Sequence, residues 1–365
     1  MSPPEPGGYN IANLPNQKEG QTERLYLSHS EGWMMPPSAT CLSGRILITG
    51  ATGQIGSELV PFLREHYGRD NVVATGHIRR PTKEMEDSGP YLTMDLMDQE
   101  TVIRTLRKEG VVQVYHLAAI LSAVGEARPQ EAWDVNMTSL KNILEACRIN
   151  NVEEVFWPSS IAAFGPTSPR LDTPQDTVLQ PTSMYGITKV AGELLCNYYF
   201  LKHGLDTRSV RFPGIISAET PPGGGTPDYA VAIFYEAIQK GHFRCFVRED
   251  TVLPMLYMPD CITAAFRLMG TSKENIRRHD GYNLAGMSFS AGDLARSIMK
   301  RLPEFTIEYQ PDSRQQIADS WPMSLDDSEA RRDWGWAPEY GLERMTDDML
   351  SRLKRKLTGD PAQKQ

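Results

Sequence analysis

The chain has 365 residues, a formal net charge of -8 and five cysteines. That length holds one large domain or two. The acidic balance excludes the basic field that a nucleic-acid partner needs, and no apolar run is long enough to span a bilayer. The cysteines, Cys41, Cys147, Cys196, Cys245 and Cys261, are scattered and lack Cys-x-x-Cys or Cys-x-x-His spacing. The pattern predicts reduced structural thiols in an intracellular protein, with no metal site.

Residues 1–43 are rich in Pro, Gly, Ser and Asn and predict an extension outside the main fold. Organelle presequences are Arg-rich and poor in acids, whereas Glu5, Glu19 and Glu23 interrupt this one. Residues 44–212 then read as a dinucleotide-binding domain. Residues 213–357 read as mainly substrate-binding, with some elements returning to the first domain, and 358–365 as a tail.

The first strand, from Arg45, runs into Gly50-x-x-Gly53-Gln54-Ile55-Gly56 and a helix from Ser57 to about His66. Glycines there let the backbone approach a pyrophosphate, and the helix N-terminus offers free N–H groups. A second strand, Asn71 to Thr75, ends where an acid would bond the ribose hydroxyls of NAD. The chain has Gly76-His77-Ile78-Arg79-Arg80 instead, which leaves NAD and NADP undecided on residues alone. A third strand ends at Asp95-Leu96. Asp95 is placed either to accept a hydrogen bond from the adenine amino group or to cap the helix starting near Gln99.

The fourth strand, Val111 to Leu117, leads to Ala118-Ala119, small enough for a cofactor to lie close above the strand end. Asn136 follows in a helix reaching about Asn150. The fifth strand, Glu154 to Trp157, delivers Ser159-Ser160 at its carboxyl end, where open α/β sheets bind ligands. The alternation predicts an α/β fold, a Rossmann-type doubly wound parallel sheet with a smaller C-terminal α/β substrate domain.

Tyr185 and Lys189 are four apart at the mouth of a helix that Ser183 starts and Gly204 stops, so they share a face. Tyr198 and Lys202 repeat the spacing deep in the same helix, where Tyr198, Tyr199 and Phe200 read as packing. A tyrosine titrates near about 10, so use as a base near neutrality needs its anion stabilised by roughly 4 kcal/mol. A fixed cation supplies that kind of help.

Gly50-x-x-Gly53-x-x-Gly56, Asp95-Leu96, His116-Leu117-Ala118-Ala119, Asn136, Ser159-Ser160 and Tyr185-Gly186-x-x-Lys189 together resemble an extended short-chain dehydrogenase/reductase, UDP-galactose epimerase-like, from about Gly44 onward. The resemblance implies Ser160, Tyr185 and Lys189 as catalytic serine, base and lysine. It implies a cofactor site over Gly50, Gly53, Gln54, Ile55, Gly56, Arg79, Asp95, Leu96, Leu117, Ala118, Ala119 and Asn136, with Pro213 and Ile215 behind the nicotinamide. The segments around Gly214, Thr220–Ala230, Leu253–Met258, Tyr282–Ala285 and Ile317–Pro322 resemble the zinc-free, short-chain family of L-threonine dehydrogenases.

That resemblance implies NAD as cofactor, L-threonine as small-molecule substrate, contacts to it from Ser122, Ser160, Tyr185, Thr226 and Trp321, and a homodimer. Eukaryotic members are mitochondrial, with the cytoplasm as the alternative. Trp321 suits a core position as well as a pocket wall. The Gly223-Gly224-Gly225-Thr226 turn suits a carboxylate nest, a lid or a plain surface loop. Asp319, Asp326 and Asp327 suit an ammonium or helix caps. Two rival readings are a nucleotide-sugar epimerase or dehydratase, which uses the same Ser, Tyr and Lys, and a non-catalytic cofactor-binding regulator.

Overall fold

The computed structural model describes residues 42–222 and 225–358. Residues 1–41 of the expected extension with Cys41, the Gly223-Gly224 part of the glycine turn, and residues 359–365 of the tail lie outside the described residues.

A six-stranded parallel sheet carries the first half of the chain. Its strands are β1 (Arg45–Thr49), β2 (Val72–Gly76), β3 (Tyr91–Thr93), β4 (Val111–His116), β5 (Glu154–Phe156) and, after the short β6 (Ser159–Ser160), β7 (Asp206–Arg208). Their order is β3-β2-β1-β4-β5-β7. Ile46, Leu47 and Ile48 are fully buried, as expected for a strand covered on both faces. The order reverses direction between β1 and β4, and such a reversal opens a ligand crevice at the carboxyl ends of the strands.

The helices of this half are α1 (Gln54–Tyr67), α2 (Lys83–Asp87), α3 (Gln99–Glu109), α4 (Ser122–Ala127), α5 (Pro129–Ile149) and α6 (Met184–His203). Asp98, not Asp95, caps α3, its carboxylate accepting from the Glu100 and Thr101 amides. Ser183 caps α6 by accepting from the Gly186 N–H at 3.1 Å. Gly204, at φ 70°, ends it in the left-handed conformation that glycine adopts without strain.

Tyr198, deep in α6, was expected to pack. Instead it is 50% exposed, and Leu194 is 64% exposed. The helix has two apolar faces, and the second is open. Periodicity states that a face is apolar, not what covers it.

Two small sheets carry the crevice's other wall. In one, β8 (Val210–Phe212) lies between β6 and Tyr282–Asn283. In the other, Val252–Tyr257 lies between β9 (Gly214–Ile216) and Met287–Ser290. The helices Tyr229–Lys240, Ala291–Met299 and Leu342–Thr358 close a core around Tyr229, Phe234, Leu294 and Met349. The helix Met258–Gly270 returns to α1, with Phe266 edge-on to Phe62 at 5.3 Å.

Candidate active site

A cavity of about 440 Å³ opens at the carboxyl ends of β1 and β4. Gly50, Gly53, Gln54, Ile55 and Gly56 form its floor. Gly50 has φ +67°, and a Cβ on it would lie 2.7 Å from the Ala118 nitrogen, so only glycine lets β1 turn this close to β4. A Cβ on Gly56 would lie 2.4 Å from the Gly50 oxygen, which fixes α1 against the turn. No side chain caps α1, so its first N–H groups are free for an anion. The cradle therefore fits a dinucleotide pyrophosphate.

Arg79, Leu117 and Ala119 also line the cavity. Asp95, Leu96, Ala118 and Asn136 are not among its lining residues. Asp95 accepts from the Met97 N–H at 2.9 Å, closing a local turn. The Leu96 carbonyl accepts from Asn142 at 2.9 Å. Ala118 is the backbone against which Gly50 packs. Asn136 exchanges two hydrogen bonds with the Ile120 backbone, at 2.7 and 3.0 Å, and donates to Thr188 at 3.2 Å. It fastens the loop after β4 to α6, so its role here is to shape the cavity wall.

Ser160, Tyr185 and Lys189 meet on the opposite wall with Pro158, Pro213 and Ile215. The Ser160 hydroxyl stands beside the Tyr185 phenol and accepts from the Ala162 N–H at 3.2 Å. Burial pushes the Tyr185 phenol up to about 12, the Ser160 hydroxyl opposing it. Lys189, expected to lower that value, is held elsewhere. Its ammonium donates to the Pro158 carbonyl at 2.6 Å and lies 4.5 Å above the Trp157 ring, against 5.2 Å to the Tyr185 ring. Burial lowers the Lys189 ammonium to about 8. Tyr185 is thus a neutral phenol near pH 7 in the bare protein.

Of the residues expected to meet the substrate, Ser122 and Trp321 line the cavity. Trp321 is only 4% exposed and also packs into the core, so both of its expected roles apply. Thr226 is buried and is not a lining residue, although its neighbours Gly225 and Pro227 are. The Gly225 N–H is already bonded to Asp228 at 2.8 Å, which removes that donor from the expected carboxylate nest. Asp319 is engaged by Arg248 at 2.8 Å and Asp327 by Arg331 at 2.7 Å, while Asp326 accepts from the Ser328 N–H. These acids therefore have other work than holding an ammonium.

Residue patterns missed the buried network behind this wall. Glu193, one turn after Lys189, accepts from Ser159 at 2.5 Å and from two nitrogens of Arg211, each at 2.9 Å. Arg211 continues to the Asn283 side chain and the Gln175 carbonyl, both at 3.0 Å. The network joins α6, β6 and β8. Helical spacing from Lys189 could have pointed to Glu193, but nothing local points to Arg211.

A cavity with a glycine-turn anion cradle on one side and a Ser-Tyr-Lys group on the other defines a dinucleotide-dependent enzyme of the short-chain dehydrogenase type. The profile of the NAD dependent epimerase/dehydratase family matches residues 46–285, and the chain belongs to that family. Its cofactor is NAD. Among similar chains, a protein of Staphylococcus haemolyticus described as an uncharacterized epimerase/dehydratase is 48% identical over 314 residues, 86% of this chain and 98% of its own.

Among solved structures, the holo form of a GalE-like L-threonine dehydrogenase from Cupriavidus necator is 50% identical, with a TM-score of 0.82 over 85% of this chain and 99% of its own. A monomeric L-threonine 3-dehydrogenase from a metagenome is 45% identical, with a TM-score of 0.82 over 85% of this chain and 99% of its own.

Proposed function

We propose that the chain oxidises the C3 hydroxyl of L-threonine to 2-amino-3-oxobutanoate, a step of threonine breakdown towards glycine and acetyl-CoA. The observation that carries this reading is 50% identity to a threonine dehydrogenase across nearly all of that enzyme's length, substrate half included. Bound NAD supplies the hydride acceptor and a positive charge. The N–H groups at the start of α1 would hold its pyrophosphate, and Leu117, Ala119, Pro213 and Ile215 would line its path. Residues 213–357 carry mainly the substrate side.

In the reaction the substrate hydroxyl sits between Ser160, which hydrogen-bonds it, and Tyr185, which removes its proton. Burial holds Tyr185 neutral until a cation arrives beside it. Lys189, anchored on the Pro158 carbonyl, lies 5.2 Å from the Tyr185 ring. Ser122 and Trp321 bound the space for the amino-acid end.

The test is threonine-dependent formation of reduced nicotinamide, followed by absorbance, in the wild type and in Tyr185→Phe. The Phe variant keeps the ring and its packing. A signal with threonine that falls by roughly 10² or more in the variant supports both reaction and base. No signal with threonine overturns the reading in favour of an epimerase or dehydratase, as the family description and the Staphylococcus relative are worded.

We further propose a homodimer. Ile187, Leu194, Tyr198 and Leu201 form one apolar stripe on α6, and Leu194 and Leu201 are 64% and 68% exposed. Trp133 on the adjacent α5 is also exposed. A second copy related by a twofold axis would cover this face with itself.

A further inference from the structure

At the adenosine end of the cofactor's path an expected partner is missing. In this fold a carboxylate after the second strand binds both ribose hydroxyls, whereas an arginine there accommodates a 2′-phosphate. Residues 72–80 contain no acid. Residue 76 is glycine, and a Cβ on it would lie 2.2 Å from the Tyr91 hydroxyl on the neighbouring strand, so a larger side chain there would have to displace the end of that ring. The first residue after the strand is His77. It is followed by Ile78, Arg79 and Arg80, all exposed.

This segment lies beside the phosphate cradle. Arg79 donates to the carbonyl of Thr52, inside the glycine turn, at 3.0 Å. Among the described residues neither the Arg79 nor the Arg80 guanidinium meets a carboxylate. A second cavity, of about 470 Å³, adjoins the first and shares Arg79, Thr220 and Pro221 with it. Arg80 and Thr82 add donors to its wall, while the Ser57 hydroxyl there donates to the Gln54 carbonyl at 3.1 Å. Its acids are Glu84 and Glu219, and Glu219 faces Lys356 at 3.5 Å and Arg352 at 3.7 Å.

We propose that this second cavity takes a 2′-phosphate on the adenosine ribose, so that the chain uses NADP as well as NAD. The inference rests on the reading of the chain as a nicotinamide-dependent oxidoreductase, but not on threonine as substrate. Residue 77 is a histidine, where a carboxylate would repel the phosphate. Arg80 supplies a guanidinium that meets no carboxylate among the described residues, of the kind that grips phosphate oxygens in pairs.

The test compares adenosine 2′,5′-bisphosphate with adenosine 5′-monophosphate, which differ only in the 2′-phosphate, by calorimetric titration of the full chain. The expected result is binding of the bisphosphate tighter by at least about tenfold, as charge-assisted hydrogen bonds allow. That gap should close in His77→Asp and narrow in Arg80→Ala. Equal or weaker binding of the bisphosphate to the wild type overturns the proposal, and so does a gap that both variants leave intact. Threonine oxidation with NAD alone and no gap leaves the substrate reading standing. A gap without threonine oxidation leaves the subsite standing.

Discussion

Tyr185 and His116 are buried groups held neutral by the same force, desolvation, which acts against whichever form is charged. For the phenol the charged form is the anion, so its titration moves up to about 12. For the imidazole it is the cation, so His116 moves down from 6.5 to about 3, with nearby Lys189 adding to the effect. His116 lies 2.7 Å from the Thr49 hydroxyl, joining β1 to β4 directly beneath the glycine turn. Because its folded value lies below its unfolded one, the unfolded chain binds the extra proton. The stability it lends is complete above about 6.5 and is lost as pH falls towards about 3. The wild type should lose up to about 1.4 kcal/mol per pH unit from this group in that window. Denaturant titrations at several pH values should give a shallower slope for His116→Gln.

At the scale of elements, α6 is held against the catalytic strand by close approach and by the buried network. A Cβ on Gly186 would lie 2.2 Å from the Ala162 carbonyl oxygen, two residues after Ser160. Gly186→Ala should therefore separate Ser160 from Tyr185. The measurable outcome is a fall in kcat of at least about tenfold at nearly unchanged cofactor affinity. Glu193→Gln tests the network. Removing one partner of a buried ion pair leaves Arg211 uncompensated, at a cost of about 3–5 kcal/mol. Thermal unfolding should show a clear drop in midpoint, and unchanged stability would show that Arg211 finds its compensation elsewhere.

At the scale of the whole molecule, the open face of α6 sets the expected assembly. Leu194→Glu or Leu201→Glu would place a carboxylate at the centre of a self-complementary apolar interface. Sedimentation should show a dimer for the wild type and a monomer for either variant. Both side chains point to solvent in the single chain, so the monomeric variants should keep their fold. A wild type that sediments as a monomer, as the metagenome relative is described, would remove the dimer.

Much of this was legible in the chain because the governing rules are short-ranged. Gly50, Gly53 and Gly56 mark a turn through backbone sterics, and Ser183 and Gly204 mark the ends of α6 through capping. Four-residue spacing puts Tyr185 and Lys189 on one face whatever lies around them. What surrounds them was not legible. Lys189 meets a carbonyl 31 residues away, Asn136 meets Ile120 rather than the cavity, and Glu193 finds Arg211 on a strand of another sheet. The protonation of Tyr185 belongs with these, because desolvation depends on every element that packs around the phenol. By itself the sequence determined the turn, the helix and the pairing of a phenol with an amine. Only the tertiary structure decided where that amine points and which form the phenol takes, because both depend on burial and on contacts between residues far apart in the chain.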